Sequence, residues 1–301
     1  MSILALLLAL ALERGLTRLL HLREPRWLDR YLGGVAGHLV GRSGTMPGLA
    51  AVAAVLVPVL PVAAASWALG SHLPGLPQFA FSVLVLLFSF GPRDLKDEVD
   101  DYVAALERGD RQEAIRRANE LLEGDAAGRG KGLRVAVEEA VFVQANNRIF
   151  GVIFWFVLLG PAGAWAFRVS DLLRRRAAFE AHRRGVGIDA GALRRAIDRV
   201  HGALAWVPAR LAAASFALSG SLEDAIGSWR AAVAGASGSL LDRTEDLLAR
   251  VGKGSLQPTL AEIPAAQLDV ATARGAWRIV SRAVWSWIAF VAVLVLLGRM
   301  S

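Results

Sequence analysis

Residues 135–176 read VAVEEAVFVQANNRIFGVIFWFVLLGPAGAWAFRVSDLLRRR, and their order of polarity decides the fold class. The stretch begins amphipathic and passes through a polar knot, Gln144-Ala145-Asn146-Asn147-Arg148. It is then nearly pure hydrocarbon from Ile149 to Leu159, breaks at Gly160-Pro161-Ala162-Gly163, returns apolar to Phe167 and ends in arginines. Amides and an arginine at the mouth of an apolar segment are costly in lipid, so they are expected to face protein or headgroups. The pattern implies a membrane protein with a polar site at one membrane surface.

Composition agrees. Apolar residues make up 54% of the 301-residue chain, and the mean hydropathy of +0.43 exceeds what soluble domains usually show. The net charge of +7 suits either nucleic acid or anionic lipid. Nine tryptophans and long apolar runs favour lipid. The absence of cysteine excludes thiol catalysis, disulfides and cysteine-based zinc sites. The five histidines, His21, His38, His72, His182 and His201, include no pair at helical spacing, so no metal site is expected.

Outward from the central stretch, four segments are expected to span. Residues 2–20 are apolar up to Leu12 and carry Glu13 and Arg14 at an interface, where they snorkel. No cleavage site follows, so this segment reads as a retained helix. Residues 47–69 and 78–91 form a hairpin, the first arm kinked by Pro58 and Pro61. Residues 277–298 form the last span, with Trp277, Trp285 and Trp287 near its start and Arg274, Arg278 and Arg282 on the inner side. The connection over 21–45 is polar, with Trp27 and Tyr31 suited to the headgroup layer. Residues 203–219, interrupted by Pro208 and Arg210, are expected as a buried or interfacial helix rather than a span.

The remainder is polar and helical. In 93–134, Val99, Tyr102, Val103 and Leu106 mark one apolar helix face, and Ile115, Ala118, Leu121 and Leu122 another. Gly109-Asp110 between them reads as a stop followed by an N-cap. The glycine-rich run over 124–132 fails the P-loop pattern, with Asp125 and Gly132 at the deciding positions, and reads as a linker. Residues 221–250 read as amphipathic helices broken at 235–238, and 252–266 as loop.

Topology creates a conflict. Residues 168–210 carry 10 arginines against Asp171, Glu180, Asp189 and Asp198, which places them inside. If 47–91 is a hairpin, 93–134 is also inside, and a single crossing at 149–167 would put the arginines outside. Two resolutions stand: a re-entrant turn at Gly160-Pro161-Ala162-Gly163, which is the favoured one, or a failure of the charge rule at this crossing. The fold class is therefore all-α: polytopic membrane helices, about four spans and a re-entrant hairpin, with a helical cytosolic layer. One integral membrane domain over 1–301 is expected, with membrane-associated cytosolic helices at 93–134 and 168–276.

No catalytic constellation emerges. A G-x-S-x-G nucleophile elbow is absent. Glu138 and Glu139 are adjacent, so on a helix they diverge and make a poor acid–base couple. The strongest polar set is Gln144, Asn146, Asn147, Arg148, Asp171 and Arg174, with Arg210 as a candidate third wall. Amides at a helix start also serve as caps, which is the structural alternative for Asn146 and Asn147.

The residues of Leu95-Lys96-Asp97-Glu98-Val99, Tyr102, Leu106-Glu107-Arg108-Gly109-Asp110, Asn146-Asn147-Arg148-Ile149-Phe150-Gly151-Val152-Ile153-Phe154-Trp155-Phe156, Leu159-Gly160-Pro161-Ala162-Gly163-Ala164 and Trp206-Val207-Pro208-Ala209-Arg210-Leu211 resemble the AmpE family. The resemblance runs from the first helix to the last. It implies a multi-pass protein of the bacterial inner membrane, a regulator or sensor in β-lactamase induction and cell-wall recycling. The implied partners are the lipid bilayer and either the amidase AmpD or a muropeptide-type ligand. No nucleic acid and no cofactor are implied, and a homo-oligomer is compatible.

AmpE is in turn similar to the membrane enzyme CbiB/CobD, which forms an amide bond with ATP in cobalamin synthesis. Aligned on Phe154-Trp155, that enzyme's first pattern Glu falls on Glu139, its Glu-Asn pair on Val143 and Gln144, and its Asp on Asn147. A later Asn and Asp fall on Asp171 and Arg174, and a third Asn on Ala205, while Pro208 and Arg210 match. The resemblance thus implies a retained scaffold whose carboxylates are largely replaced. ATP-driven amide synthesis needs carboxylates to hold Mg²⁺, so their loss argues against it. An anionic ligand held by Arg148, Arg174 and Arg210 is the expectation, with Glu139 the remaining acidic member; a residual ligase of the CbiB/CobD type is the alternative.

Overall fold

The computed structural model describes residues 31, 47–72, 75–90, 94–123, 132–184, 188–261 and 263–300. The expected helix over 2–20, most of the 21–45 connection and the linker over 124–131 lie outside the described residues. Ten α-helices are described: α1 Pro47–His72, α2 Leu76–Phe90, α3 Leu95–Glu107, α4 Arg111–Leu122, α5 Leu133–Ala145, α6 Gly151–Arg184, α7 Ile188–Ser219, α8 Leu222–Ala234, α9 Leu240–Leu260 and α10 Leu268–Met300. A π-helical turn, Asn146–Phe150, separates α5 from α6, and a 3₁₀ turn, Ala265–Gln267, precedes α10. No strand occurs among the described residues.

The protein is an all-α, multi-pass membrane protein. Among the described residues, stretches long and apolar enough to cross a bilayer are Pro47–His72, Leu76–Glu107, Leu133–Ala178, Gly191–Ser219 and Ala265–Val293. Gly191–Ser219 is one more than the sequence suggested, because Pro208 and Arg210 do not interrupt α7. The loop expected at 252–266 is also corrected: α9 continues to Leu260, carried by Val251, Ser255 and Leu256 on its buried side.

The chain packs as two compact units, Met1–Pro92 with Gly151–Ala205, and Arg93–Phe150 with Trp206–Ser301. In the first, α1 and α2 pack on α6 through Ala51, Ala54, Val55, Val59, Val85, Trp165, Val169 and Leu173. Pro58 has no N–H to give the Ala54 carbonyl four residues back. The Tyr31 hydroxyl donates to that carbonyl instead, at 3.2 Å. The Trp165 indole N–H donates to the Pro58 carbonyl at 3.0 Å, fixing α6 against the proline-containing part of α1.

Helix α6 is a hairpin. Gly160 has φ 67° and ψ −156°, a conformation essentially confined to glycine. In a straight helix, residues eight apart lie about 12 Å from each other. Here a Cβ on Gly163 would overlap the Trp155 carbonyl oxygen, and one on Gly151 would overlap the Phe167 ring. The two arms therefore run antiparallel about the turn. Pro161 opens the second arm, where its missing N–H leaves no helical bond unmade. The tip residues Val157, Leu158 and Leu159 are 48%, 60% and 60% exposed, an apolar cap suited to hydrocarbon. The reversal has the form that a re-entrant segment requires.

The second unit builds its core from α3, α4, α5, α9 and α10. Asp110 caps α4, accepting from the Glu113 N–H at 2.9 Å, as the Gly109-Asp110 pair suggested. Val99, Tyr102, Val103, Leu121 and Leu122 are buried as expected, whereas Ile115 is 38% exposed. An aromatic chain runs through the core: Phe142 to Phe216 at 5.1 Å, Phe216 to Phe150 at 5.5 Å, Phe150 to Trp287 at 5.1 Å. The Trp287 indole N–H donates to the Ser215 hydroxyl at 2.8 Å. Gly252 lets α9 approach α5 closely, because any Cβ there would lie inside the Phe142 ring.

Two outcomes test this packing. Gly252→Val should destabilise the protein by about 1–3 kcal/mol through overpacking, read as a lower melting temperature in detergent. A cysteine replacing Ala178 in this cysteine-free chain should resist an impermeant maleimide added to intact cells and react after permeabilisation; labelling from outside would contradict the hairpin in α6.

Candidate functional site

The polar knot of the central stretch falls on the π-turn. A π-turn widens the backbone by bonding each N–H to the carbonyl five residues back, and such turns are frequent at functional sites. Its first three residues are buried despite their polarity: Asn146, Asn147 and Arg148 are 0%, 2% and 7% exposed. The Arg148 guanidinium donates through Nε to Gln144 Oε1 at 3.2 Å and through Nη2 to Glu123 Oε1 at 2.9 Å. Its Nη1 lies 2.9 Å from Glu98 Oε2, an ion pair too poorly aligned to count as a hydrogen bond. Glu98 comes from α3. Glu123 follows α4 in a left-handed conformation, φ 53°, that carries its side chain to Arg148.

Two consequences follow for ligand chemistry here. Arg148 is already flanked by two carboxylates, so this cluster carries no excess positive charge of its own. The amides are less complete. Asn146 Nδ2 donates to Asn147 Oδ1 across a long 3.4 Å, while Asn146 Oδ1 and Asn147 Nδ2 have no hydrogen-bond partner. An unsatisfied buried amide atom costs about 1–3 kcal/mol, so one acceptor and one donor are held ready for a partner. Of the neighbouring glutamates, Glu138 is buried at 2% exposure, while Glu139 is half-buried on the adjoining face.

The second cluster lies on the returning arm of α6, in the other unit. Asp171 is fully buried. Its Oδ2 receives Arg168 Nη1 at 3.1 Å and Arg175 Nη2 at 2.6 Å; its Oδ1 receives Arg174 Nη2 at 3.2 Å. Helical spacing makes this natural, because residues three and four away share a face with position 171. From α7, His201 reaches the same group, its Nε2 4.0 Å from Asp171 Oδ1 and its Nδ1 2.9 Å from the Ser170 hydroxyl. Ser170 donates its proton to the Phe167 carbonyl at 2.7 Å. The Nδ1–H of His201 must then donate to Ser170, which leaves Nε2 an open acceptor; it has no hydrogen-bond partner.

The sequence-predicted residues thus fall into separate groups. Gln144, Asn146, Asn147 and Arg148 come together with each other, and Asp171 comes together with Arg174. Arg210 is held on its own helix, stacked 3.9 Å over the Trp206 ring and donating to the Trp206 carbonyl at 3.0 Å. Sequence reasoning missed Glu98, Glu123, Arg168, Arg175, Ser170 and His201. Glu98 lay inside a quoted motif and could have been weighed as a partner for Arg148. Ser170 and His201, 31 residues apart, carry no local signal.

Residues 1–300 match the protein family described as "Regulatory signalling modulator protein AmpE". The chain belongs to the AmpE family. Among curated proteins it is similar to the "Cobalamin biosynthesis protein CobD" of Stutzerimonas stutzeri, 31% identical over 209 residues that cover 67% of this chain and 62% of that protein. A protein of the same name from Chromobacterium violaceum is 30% identical over 126 residues, 42% of this chain and 40% of the relative. The chain therefore matches less than two thirds of either relative's length. No solved structure matches it.

Removing one member of a buried ion pair strands the other, at about 3–5 kcal/mol. Asp171→Ala should therefore lower the yield of folded, monodisperse protein sharply. Arg148→Met should destabilise for the same reason, and adding Glu98→Gln should restore part of the loss, read as a positive coupling in thermal melts.

Proposed function

We propose that this protein is an inner-membrane regulator or sensor in β-lactamase induction and cell-wall recycling, which binds an anionic ligand of the muropeptide type, or the partner AmpD, at the cytosolic membrane face. The observation that carries this is a membership with a difference. The chain belongs to a family described as regulatory, and positions that hold carboxylates in the related cobalamin pattern hold Asn147 and Arg174 here. Charge supports the anion. Residues 168–210 carry 10 arginines against four acidic residues. Arg174 belongs to that region, where it shares Asp171 with Arg168 and Arg175, whereas Arg148 is matched by two carboxylates, Glu98 and Glu123. On this reading Arg174 and its neighbours attract the ligand, and Arg148 holds the π-turn in shape.

The 31% identity to a cobalamin biosynthesis protein keeps a second reading in view, an ATP-dependent amide-forming enzyme. Binding to the purified protein separates them. Anhydro-muropeptide should bind without Mg²⁺, and Arg174→Gln should weaken it about tenfold or more, the worth of one charge-assisted contact. Mg²⁺-dependent ATP hydrolysis, or corrinoid binding in place of muropeptide binding, would favour the enzyme instead.

A further inference from the structure

Helix α10 carries a face that neither cluster uses. Arg274, Arg278, Arg282, Trp285, Ala289 and Val293 are all exposed, and at 100° per residue they fall within one stripe about 100° wide. The stripe changes character along its length: three arginines, then a tryptophan 55% exposed, then aliphatic positions, with Val293 at 52%. From Arg278 to Val293 it runs about 22 Å, more than the roughly 15 Å half-thickness of a bilayer's hydrocarbon core. That is the profile of a surface with one end at the headgroups and the other in acyl chains.

At the arginine end the stripe opens into a groove of about 760 Å³ between α10 and α3. Its apolar lining includes Val99, Leu106, Val270 and Trp277, and its charged lining is Asp100, Glu107, Arg274 and Arg278. Arg274 Nη2 pairs with Glu107 Oε1 at 2.7 Å, both half-exposed. Asp100 pairs with Lys96. Arg278 forms no ion pair with another described residue. The groove therefore offers two guanidiniums and two carboxylates beside an apolar wall, on the polar side of the change at Trp285 and about 10 Å from it along α10.

We propose that this groove holds the headgroup of a phosphoethanolamine lipid of the surrounding bilayer, with an acyl chain along Trp285 to Val293. The phosphate meets Arg278 and Arg274, and the primary ammonium meets Glu107 and Asp100. The carboxylates select this headgroup. A phosphoglycerol headgroup has no cation for them, and the quaternary ammonium of a choline headgroup has no N–H to donate. The site is independent of the ligand reading above.

Native mass spectrometry of the full-length protein, offered equal amounts of phosphatidylethanolamine, phosphatidylglycerol and phosphatidylcholine, tests it. The ethanolamine lipid should be retained about tenfold over either competitor. Arg278→Ala and Glu107→Gln should each abolish that preference without lowering the melting temperature, while Arg278→Lys should keep it. Equal retention of the three lipids, stronger retention of the phosphatidylglycerol, or a preference surviving in both Arg278→Ala and Glu107→Gln would overturn the proposal. So would displacement of the lipid by soluble phosphoethanolamine at comparable concentration, since the acyl stripe would then contribute nothing.

Discussion

A guanidinium cannot leave water alone, and the protein is arranged around that constraint. An ion moved into a low-dielectric interior loses several kcal/mol of hydration unless a partner of opposite charge moves with it. Both polar clusters obey this. Arg148 is enclosed only because α3 and the end of α4 bring Glu98 and Glu123 to it from 50 and 25 residues upstream in the sequence. Asp171 is enclosed only because three arginines of its own helix surround it. The first arrangement ties distant helices together, whereas the second is local and is completed from α7 by His201.

The same constraint explains what the sequence disclosed. Helices, spans and the N-cap at Asp110 were legible because apolar periodicity and cap chemistry are local. The turn inside α6 was legible as Gly160-Pro161-Ala162-Gly163, a break in an otherwise apolar run. What escaped was pairing. Nothing near Arg148 says that Glu98 and Glu123 will neutralise it, so an arginine beside amides read as an anion receptor. Glu139 was chosen over Glu138 by counting along a family pattern, yet Glu138 is the one enclosed. The continuity of α9 to Leu260 was missed because Gly252 and Gly254 read as loop signals, when Gly252 marks a close approach to Phe142.

The two clusters also differ in what they leave open. Around the π-turn the charges are matched and the amides are not, so selectivity there rests on hydrogen-bond direction, one acceptor at Asn146 and one donor at Asn147. Around Asp171, His201 Nε2 is an open acceptor within a guanidinium-rich field.

The glycine at position 160 bears on biogenesis. Through the π-turn the first arm of α6 continues α5, so the helix from Leu133 to Leu159 runs about 40 Å by helical rise, enough for hydrocarbon about 30 Å thick. Its partner arm begins at once with Pro161 and is apolar only as far as Phe167, before Arg168, so the second arm has no apolar span of its own. The second arm therefore depends on the first for its burial, which is complete only once the chain reaches Phe167, whose ring closes the base of the hairpin against Gly151. A backbone conformation open to one residue type thereby sets an order of events during synthesis.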